Sequence, residues 1–222
     1  TLASEGYAGV LAVHCEKQEL LSDFDPADPV THAERRPAKA EVTSVQEQLM
    51  LASGERFKGT LHIAHVSVPA SVRYSEMFPE VRVTYGVTLQ HCTLDLNAMC
   101  IPGTGLYRKM NPPLRPAGMN KELVEMLRDG RIDWVETDHA PHRKAEKLAQ
   151  PYASGMTGVQ KYPKFVEWLR SQGFSEKRLE EITFSRVRDA FKLDIKQRSC
   201  VPERDLESEY EFDPYEGTGV LE

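Results

Sequence analysis

The stretch IDWVETDHAPH, residues 132–142, joins an apolar run directly to an aspartate and two histidines. Carboxylate and imidazole groups transfer protons and bind divalent metal ions. A buried strand that delivers Asp138 and His142 to the mouth of a sheet or barrel would place that chemistry at a binding cleft. The stretch alone also fits a plainer interpretation, in which Asp138 caps a helix and the histidines lie at the surface.

Two further histidines end apolar runs of the same kind. His14 closes GVLAVHC, residues 9–15, and His65 lies within TLHIAHVSV, residues 60–68. The second run also contains His62, three residues before His65, so in a regular strand the two side chains point to opposite faces. We therefore expect His65, which is nearer the carboxyl end, to be a metal ligand, and His62 to pack beneath the helices.

The elements that would position these groups alternate between strand and helix. Strands are predicted over residues 9–15, 60–68, 81–88 and 132–137, and helices over residues 39–52, 71–78 and 120–128. This alternation favours parallel βα units over hairpins. Because the carboxyl ends of parallel strands share one edge of a barrel, His14, His65 and Asp138 should meet there. His32 and His91 are assigned to loops, with solvated or structural roles.

Composition limits the function classes. With 222 residues, 40% of them hydrophobic, the chain can bury a core and form one domain or a large part of one. A net charge of −6 offers no footprint for nucleic acid or an anionic membrane. No apolar run has the length of a membrane span, and no signal-peptide pattern opens the sequence. The four cysteines lack paired CxxC spacing, which predicts reduced thiols in a cytoplasmic protein.

Several motifs together resemble a known family. DHAPH at residues 138–142, preceded by NPPLR at residues 111–115, resembles the dihydroorotase signature of the amidohydrolase superfamily. Residues 14–16, 32–41, 61–67 and 154–160 also resemble segments of this family, and they occur in the same order as in the family. Hydantoinases and allantoinases share the barrel and the metal histidines but usually differ in one or both motifs. A sister cyclic amidohydrolase activity is therefore the alternative within enzymes.

The resemblance implies an α/β fold, the (β/α)8 TIM-type barrel of that superfamily. This chain would supply roughly strands five to eight over residues 1–195, followed by an acidic C-terminal tail over residues 196–222. His14 and His65 resemble the metal ligands that end the fifth and sixth strands. Asp138 resembles the eighth-strand aspartate, which touches metal and acts as the general acid and base.

The resemblance also implies a substrate-binding set. Asn111 and His142 resemble the groups that hold the substrate's carboxylate and ring. Ser154 and Gly155 fall where the family places a pair of substrate-contacting loop residues, with serine here where phenylalanine is common. Asn111 could equally be a turn residue before proline, and Ser154 and Gly155 an ordinary turn. For Arg115 we expect only a structural role, bracing its loop through a salt bridge.

The implied activity is the zinc-dependent interconversion of N-carbamoyl-L-aspartate and dihydroorotate in de novo pyrimidine biosynthesis, with one or two zinc ions. Zinc can lower the pKa of a bound water to about 7 and polarise a carbonyl. A carboxylate beside it can take the water's proton and return it to the departing nitrogen. The expected partner is the small-molecule substrate, with no nucleic acid and no membrane. A homo-oligomer and association with another pyrimidine-pathway enzyme both remain open.

One departure from the family pattern concerns completeness. The family's first-strand His-x-His pair, the arginine after it and the carboxylated lysine of the fourth strand have no counterpart here. Four strands cannot close an eight-stranded barrel, and a half-barrel would expose an unpaired edge. We therefore expect upstream sequence or a second chain to supply the other strands and ligands. The alternative is a non-catalytic homologue that stabilises another pyrimidine-pathway enzyme.

Overall fold

The computed structural model describes residues 1–22, 27–197 and 206–222. Its strands form one parallel sheet in chain order: β1 (Val10–Val13), β2 (Thr60–Ile63), β3 (Val83–Thr88) and β4 (Trp134–Glu136). Parallel neighbours require crossover connections, and helical segments provide them here. The predicted parallel βα organisation is therefore confirmed.

The helices of the described residues vary widely in length. They are α1 (Pro29–Arg35), α2 (Ala38–Gly54), α3 (Pro69–Arg73), α4 (Leu89–Thr93), α5 (Leu96–Met99), α6 (Met119–Asp129), α7 (Lys144–Leu148), α8 (Tyr162–Ser171), α9 (Glu176–Glu180) and α10 (Arg186–Ala190). A π-helical turn, Glu181–Ser185, joins α9 to α10. Short 3-10 turns cover Gln18–Leu20, Tyr74–Met77, Gly105–Arg108, Val159–Lys161 and Glu207–Glu209. No described helix is long and apolar enough to cross a membrane.

The hydrophobic core lies between one face of the sheet and the helices. Alternate strand residues, among them Leu61 and Ile63 of β2, join one buried cluster with Val45 of α2 and Leu127 of α6. Full burial of each such side chain contributes on the order of 1.5–3 kcal/mol. This packing fixes the strands, and with them the positions of the residues that follow each strand.

Several predicted boundaries differ from the observed ones. The strand predicted over residues 60–68 ends at Ile63, because His65 adopts a left-handed backbone with φ 39°. The next helix begins at Pro69, which suits a first turn since proline needs no hydrogen-bond acceptor there. Ser71 lies inside this helix, and its hydroxyl donates to Glu41. The predicted helices at 39–52 and 120–128 are confirmed as α2 and α6.

The predicted loop positions of His32 and His91 are wrong, because they belong to α1 and α4. Both side chains are buried, so the structural role expected for them agrees with the fold. Burial lowers the pKa of His91 to about 3, so its ring is neutral. That ring lies 2.8 Å from the Thr88 hydroxyl and 3.2 Å from the Pro112 carbonyl. The segment between β3 and α6 thus contains two short helices, α4 and α5.

The end of the chain packs against the body of the domain. Tyr215 is completely buried, and the Lys161 ammonium lies 2.7 Å from carboxylate oxygens of both Glu207 and Asp213. Residues 206–222 are therefore held by the same core as the sheet. The division of the chain at residue 195 stays a prediction. Cys15, Cys92 and Cys100 are unpaired thiols, whereas Cys200 lies outside the described residues.

Candidate active site

Two histidines from neighbouring strands meet at the carboxyl edge of the sheet. His14 directly follows β1, and His65 follows β2 by two residues. The Nδ1 atom of His14 lies 3.1 Å from Nε2 of His65, and the rings pack edge to face with their centroids 4.8 Å apart. The structure thus brings together the two residues that the sequence suggested as metal ligands.

The spacing of these two rings suits a shared divalent ion. Two nitrogens that each lie about 2.0–2.1 Å from a tetrahedral zinc ion are roughly 3.4 Å apart, close to the observed contact. Within the described ranges, no group of three or more His, Cys, Asp or Glu residues is arranged to hold a metal ion. These residues therefore offer a pair of imidazoles that fits an ion, but the described part of the chain does not offer a complete four-ligand shell. Metal binding by His14 and His65 stays a prediction.

The buried carboxylate of Glu16 is hydrogen-bonded to the ring nitrogen of His14 that faces away from His65. The sequence alone had suggested no role for Glu16. Glu16 Oε2 lies 3.0 Å from His14 Nε2 and 2.5 Å from an Arg36 guanidinium nitrogen. Burial alone would raise the pKa of Glu16, but hydrogen bonds from His14 and Arg36 bring that pKa below its ordinary value. An ionised Glu16 accepts a hydrogen bond from the Nε2–H group of His14. Nδ1 of His14 is then the nitrogen with the lone pair, and it faces His65. The sequence signal that could have indicated this role is the acidic residue two positions after His14.

Asp138 lies at the same edge, two residues beyond the end of β4. Its backbone is left-handed, with φ 40°, and the residue is exposed. Its carboxylate makes no hydrogen bond or ion pair with any residue of the described ranges. An exposed carboxylate without a protein partner can accept a proton from a ligand. The catalytic and metal-binding roles of Asp138 stay predictions.

Three of the four predicted substrate-binding residues lie in direct contact. His142 Nε2 donates to the carbonyl of Ser154 at 3.2 Å. Gly155 has φ 148°, and a Cβ there would lie 2.7 Å from the Ala140 side chain and 3.0 Å from His142 Nε2. Only glycine fits such a close approach. The loop after β4 and the loop around Gly155 are therefore fitted to each other.

Asn111, the fourth member, is tied to the same loops. The backbone N–H of Gly155 donates to the carbonyl of Lys109 at 2.8 Å, and the Lys147 ammonium donates to both the Lys109 and Gly155 carbonyls. The side-chain oxygen of Asn111 accepts from His32 Nε2 at 3.0 Å. Hydrogen bonds thus place Lys109, two residues before Asn111, against the loop of Ser154 and Gly155, whereas the Asn111 side chain itself is bonded to His32. Contact of Asn111, His142, Ser154 and Gly155 with substrate stays a prediction.

Arg115 acts as the brace that its position in the sequence suggested. It is buried, donates to the Ser67 hydroxyl at 2.9 Å and to the Arg36 carbonyl at 2.6 Å, and lies 3.7 Å from Glu41. Glu41 also accepts the backbone N–H groups of Ser67 and Val68. These contacts fix the turn that follows His65.

The prediction that His62 packs beneath the helices is wrong. Its flanking residues Leu61 and Ile63 face the helices, so His62 points to the other face of β2. Its ring stacks on Trp134, with centroids 4.5 Å apart, and its Nε2 lies 2.6 Å from Glu136. Burial alone would raise the pKa of Glu136, but the hydrogen bond from His62 brings it below its ordinary value.

His139 has a structural role in the DHAPH motif. Its Nδ1 accepts the backbone N–H groups of Gly158 and Val159, and its Nε2 lies 3.1 Å from the Tyr210 hydroxyl. A ring engaged at both nitrogens has no position left for a ligand. Within the motif, His139 therefore anchors the chain, whereas Asp138 is exposed and His142 is half-buried at the same edge of the sheet.

Curated relatives of this chain include dihydroorotases. The chain is 33% identical over 195 residues to a dihydroorotase of Halobacterium salinarum, and 38% identical over 168 residues to one of Pelotomaculum thermopropionicum. The chain belongs to the dihydroorotase family. These alignments cover 84% and 69% of the chain but only 44% and 38% of the relatives, so the chain spans less than half of their length. No family model matches the sequence.

Solved structures agree at the level of the fold. A dihydropyrimidinase from Brevibacillus agri superposes with a TM-score of 0.74 at 23% identity, covering 83% of this chain and 44% of that enzyme. A D-hydantoinase from Thermus sp. gives a TM-score of 0.73 at 21% identity, covering 82% and 43%. The dihydroorotase-family chain therefore has the fold of part of a TIM-type barrel, as the resemblance implied. Its placement as strands five to eight of that barrel stays a prediction.

Proposed function

We propose that this chain supplies part of the active site of a zinc-dependent dihydroorotase, which interconverts N-carbamoyl-L-aspartate and dihydroorotate in pyrimidine biosynthesis. The observation that carries the proposal is the contact between His14 and His65, at the edge where Asp138 also lies. A homologue with a purely structural role would have no use for two imidazoles at this distance and an exposed carboxylate at the same edge of the sheet. The family relationship points to the same reaction.

We assign a role in this reaction to each of the predicted site residues. His14 and His65 would hold the zinc, which when bound activates water and polarises the carbonyl that reacts. Asp138 takes a proton during attack and returns it to the ring nitrogen as the C–N bond breaks. Asn111 donates a side-chain N–H to the substrate, and His142 contacts the substrate through Nδ1, the ring nitrogen that is not bonded to Ser154, so that together they orient its carboxylate and ring. Ser154 and Gly155 close the other side of the cleft through their backbone.

The remaining metal ligands are expected on barrel strands outside the 222 residues. The proposal therefore includes partner strands, from the same polypeptide or a second chain, beside the open edges of β1 and β4. We also propose a cytoplasmic location. A homo-oligomer or a complex with another enzyme of the pathway would each be compatible with it.

The proposed function is tested by supplying the missing half-barrel. The chain is co-expressed with the complementary half of a dihydroorotase relative, and the purified assembly is assayed with zinc on dihydroorotate, hydantoin and allantoin. Hydrolysis of dihydroorotate above the other two supports the proposal. Preference for hydantoin or allantoin would assign a sister activity. An assembly that binds zinc through a reconstituted shell but turns over none of the three would favour the non-catalytic alternative.

A further inference from the structure

Glu136 holds a position for which the reaction proposed above has no direct use. It is the last residue of β4, and its side chain lies on the inner face of the sheet with His62 and Trp134. One carboxylate oxygen, Oε1, lies 2.6 Å from His62 Nε2 and accepts the Trp134 indole N–H at 3.2 Å. The other, Oε2, accepts the backbone N–H of His65 at 2.7 Å. The side chain thus joins β4 to the turn after β2, across β3.

The Glu136 carboxylate occupies the space where a side chain at Gly86 would lie. A Cβ on Gly86, in the strand between, would lie 2.2 Å from the Glu136 carboxyl carbon. Real Cβ atoms do not approach other heavy atoms so closely, so any larger residue at position 86 would displace the carboxylate. The sequence of β3 and the side chain of β4 are therefore matched to each other.

The backbone of His65 is the point at which the carboxylate acts. On either side of this residue the chain keeps sheet-type hydrogen bonds, from Ala64 N–H to the Val13 carbonyl and from Val66 N–H to the Gly86 carbonyl. Between these anchors His65 takes φ 39°, a left-handed conformation that is uncommon for residues other than glycine. Its N–H, turned out of the ladder, is satisfied by Glu136.

We propose that Glu136 is a positioning residue that fixes the left-handed turn at His65 and so aims its imidazole at His14. The inference rests on the proposed function only for its consequence, which is that the turn prepares two metal ligands before any metal arrives. Preorganised ligands bind an ion more tightly because less conformational freedom is lost on binding. Outer-shell partners of metal ligands typically alter metal affinity 10–100-fold.

The geometric part of the proposal is tested without metal. In the metal-free protein, nuclear Overhauser contacts between the ring protons of His14 and His65 report the distance between the imidazoles. Glu136→Ala should remove these contacts. Trp134→Phe is the matched control, since it removes one donor to the same carboxylate but leaves the acceptor of the His65 N–H in place, and it should retain them. Glu136→Gln keeps an oxygen that can accept the N–H and should restore them.

The second readout is binding of Co²⁺, followed by its ligand-field absorption. Glu136→Ala is expected to weaken binding at least tenfold, whereas Trp134→Phe should remain within about twofold. If Glu136→Ala does not fold, Glu136→Asp replaces it, because a carboxylate one methylene shorter is withdrawn from His65 with its charge intact. A folded Glu136→Ala or Glu136→Asp protein that keeps the His14–His65 ring contacts overturns the proposal.

The two readouts separate this inference from the proposed function. Loss of the ring contacts in Glu136→Ala, in a protein that neither binds zinc nor hydrolyses dihydroorotate with a complementary half, would leave the positioning role standing and reject the function. If Glu136→Ala retained the ring contacts and the assembled enzyme hydrolysed dihydroorotate, the positioning role would be rejected and the proposed function would stand.

Discussion

The Nδ1 atom of His14 lies 3.1 Å from the Nε2 atom of His65, although 51 residues separate them in the chain. Each follows a strand, and those strands are parallel neighbours, so the carboxyl ends of β1 and β2 deliver both rings to one point. Glu16 is hydrogen-bonded to the Nε2 atom of His14, and Glu136 accepts the backbone N–H of His65. The metal binding proposed above depends on this pair.

The first prediction concerns zinc affinity. His14→Ala and His65→Ala should each reduce zinc binding by the chain at least tenfold, because each removes one of two ligands that fit the same ion. Isothermal titration calorimetry at pH 7.5 measures the effect. His142→Ala is the control, since it removes an imidazole from the same edge without touching the pair. Equal affinity in all three variants would show that the pair does not bind the metal.

The second prediction concerns the proton carrier. In the complete enzyme, Asp138→Asn should leave the fold unchanged and lower turnover by about 10²–10⁴-fold, because an amide cannot carry the proton. Rates of dihydroorotate hydrolysis and of the reverse cyclisation measure the loss. The unfolding midpoint serves as the control for structure. Near-normal rates in both directions would make Asp138 a structural residue only.

The third prediction separates binding from chemistry. Asn111→Ala in the complete enzyme should raise KM for carbamoyl-aspartate more than it lowers kcat, if the amide binds substrate and transition state equally. Steady-state kinetics give both constants. Asn97→Ala, at an exposed position of α5, is the matched control and should change neither. A fall in kcat alone would mean that Asn111 acts in the transition state.

The fourth prediction concerns acid stability. The folded pKa of His91 is about 3, below the ordinary value of about 6.5 in the unfolded chain. As pH falls below about 6.5 the unfolded state gains a proton that the folded state does not take up. His91 therefore lowers the free energy of unfolding by about 1.4 kcal/mol per pH unit until about pH 3.

Urea unfolding of the wild type and His91→Asn between pH 7 and pH 4.5 measures this contribution. Asparagine can keep a hydrogen bond to Thr88 but does not titrate, so the variant's stability should fall less steeply with acid, by about one proton. Identical slopes for the two proteins would contradict the prediction.

The fifth prediction concerns completeness. Purified residues 1–222 with added zinc should not hydrolyse dihydroorotate, because part of the metal shell and the family's substrate-binding arginine would lie on other strands. Turnover on the order of 1–10³ per second, ordinary for enzymes, would show that His14, His65 and Asp138 suffice. The same assay after addition of the complementary half-barrel serves as the positive control.

Much of the fold could be predicted from the sequence because its signals are local. Runs such as GVLAVHC and VRVTYGVT report strands through their own apolar residues, and the interval between runs implies crossovers and a parallel sheet. Once the strands are parallel, the residues after them must share an edge. That argument alone placed His14 beside His65 and Asp138 at the same edge.

The tertiary structure decided how those residues are held. The strand containing His62 and His65 was predicted to continue to residue 68, but a left-handed backbone at His65 ends the regular geometry and turns its ring to His14. That conformation depends on the hydrogen bond that the His65 backbone N–H donates to Glu136, 71 residues away, whose carboxylate occupies the space left by Gly86. Propensity and periodicity describe neighbours along the chain, whereas the half-buried Glu136 carboxylate accepts hydrogen bonds from residues on and just after another strand of the sheet. The sequence by itself therefore determined which groups gather at this edge, and only the packed sheet decided their directions.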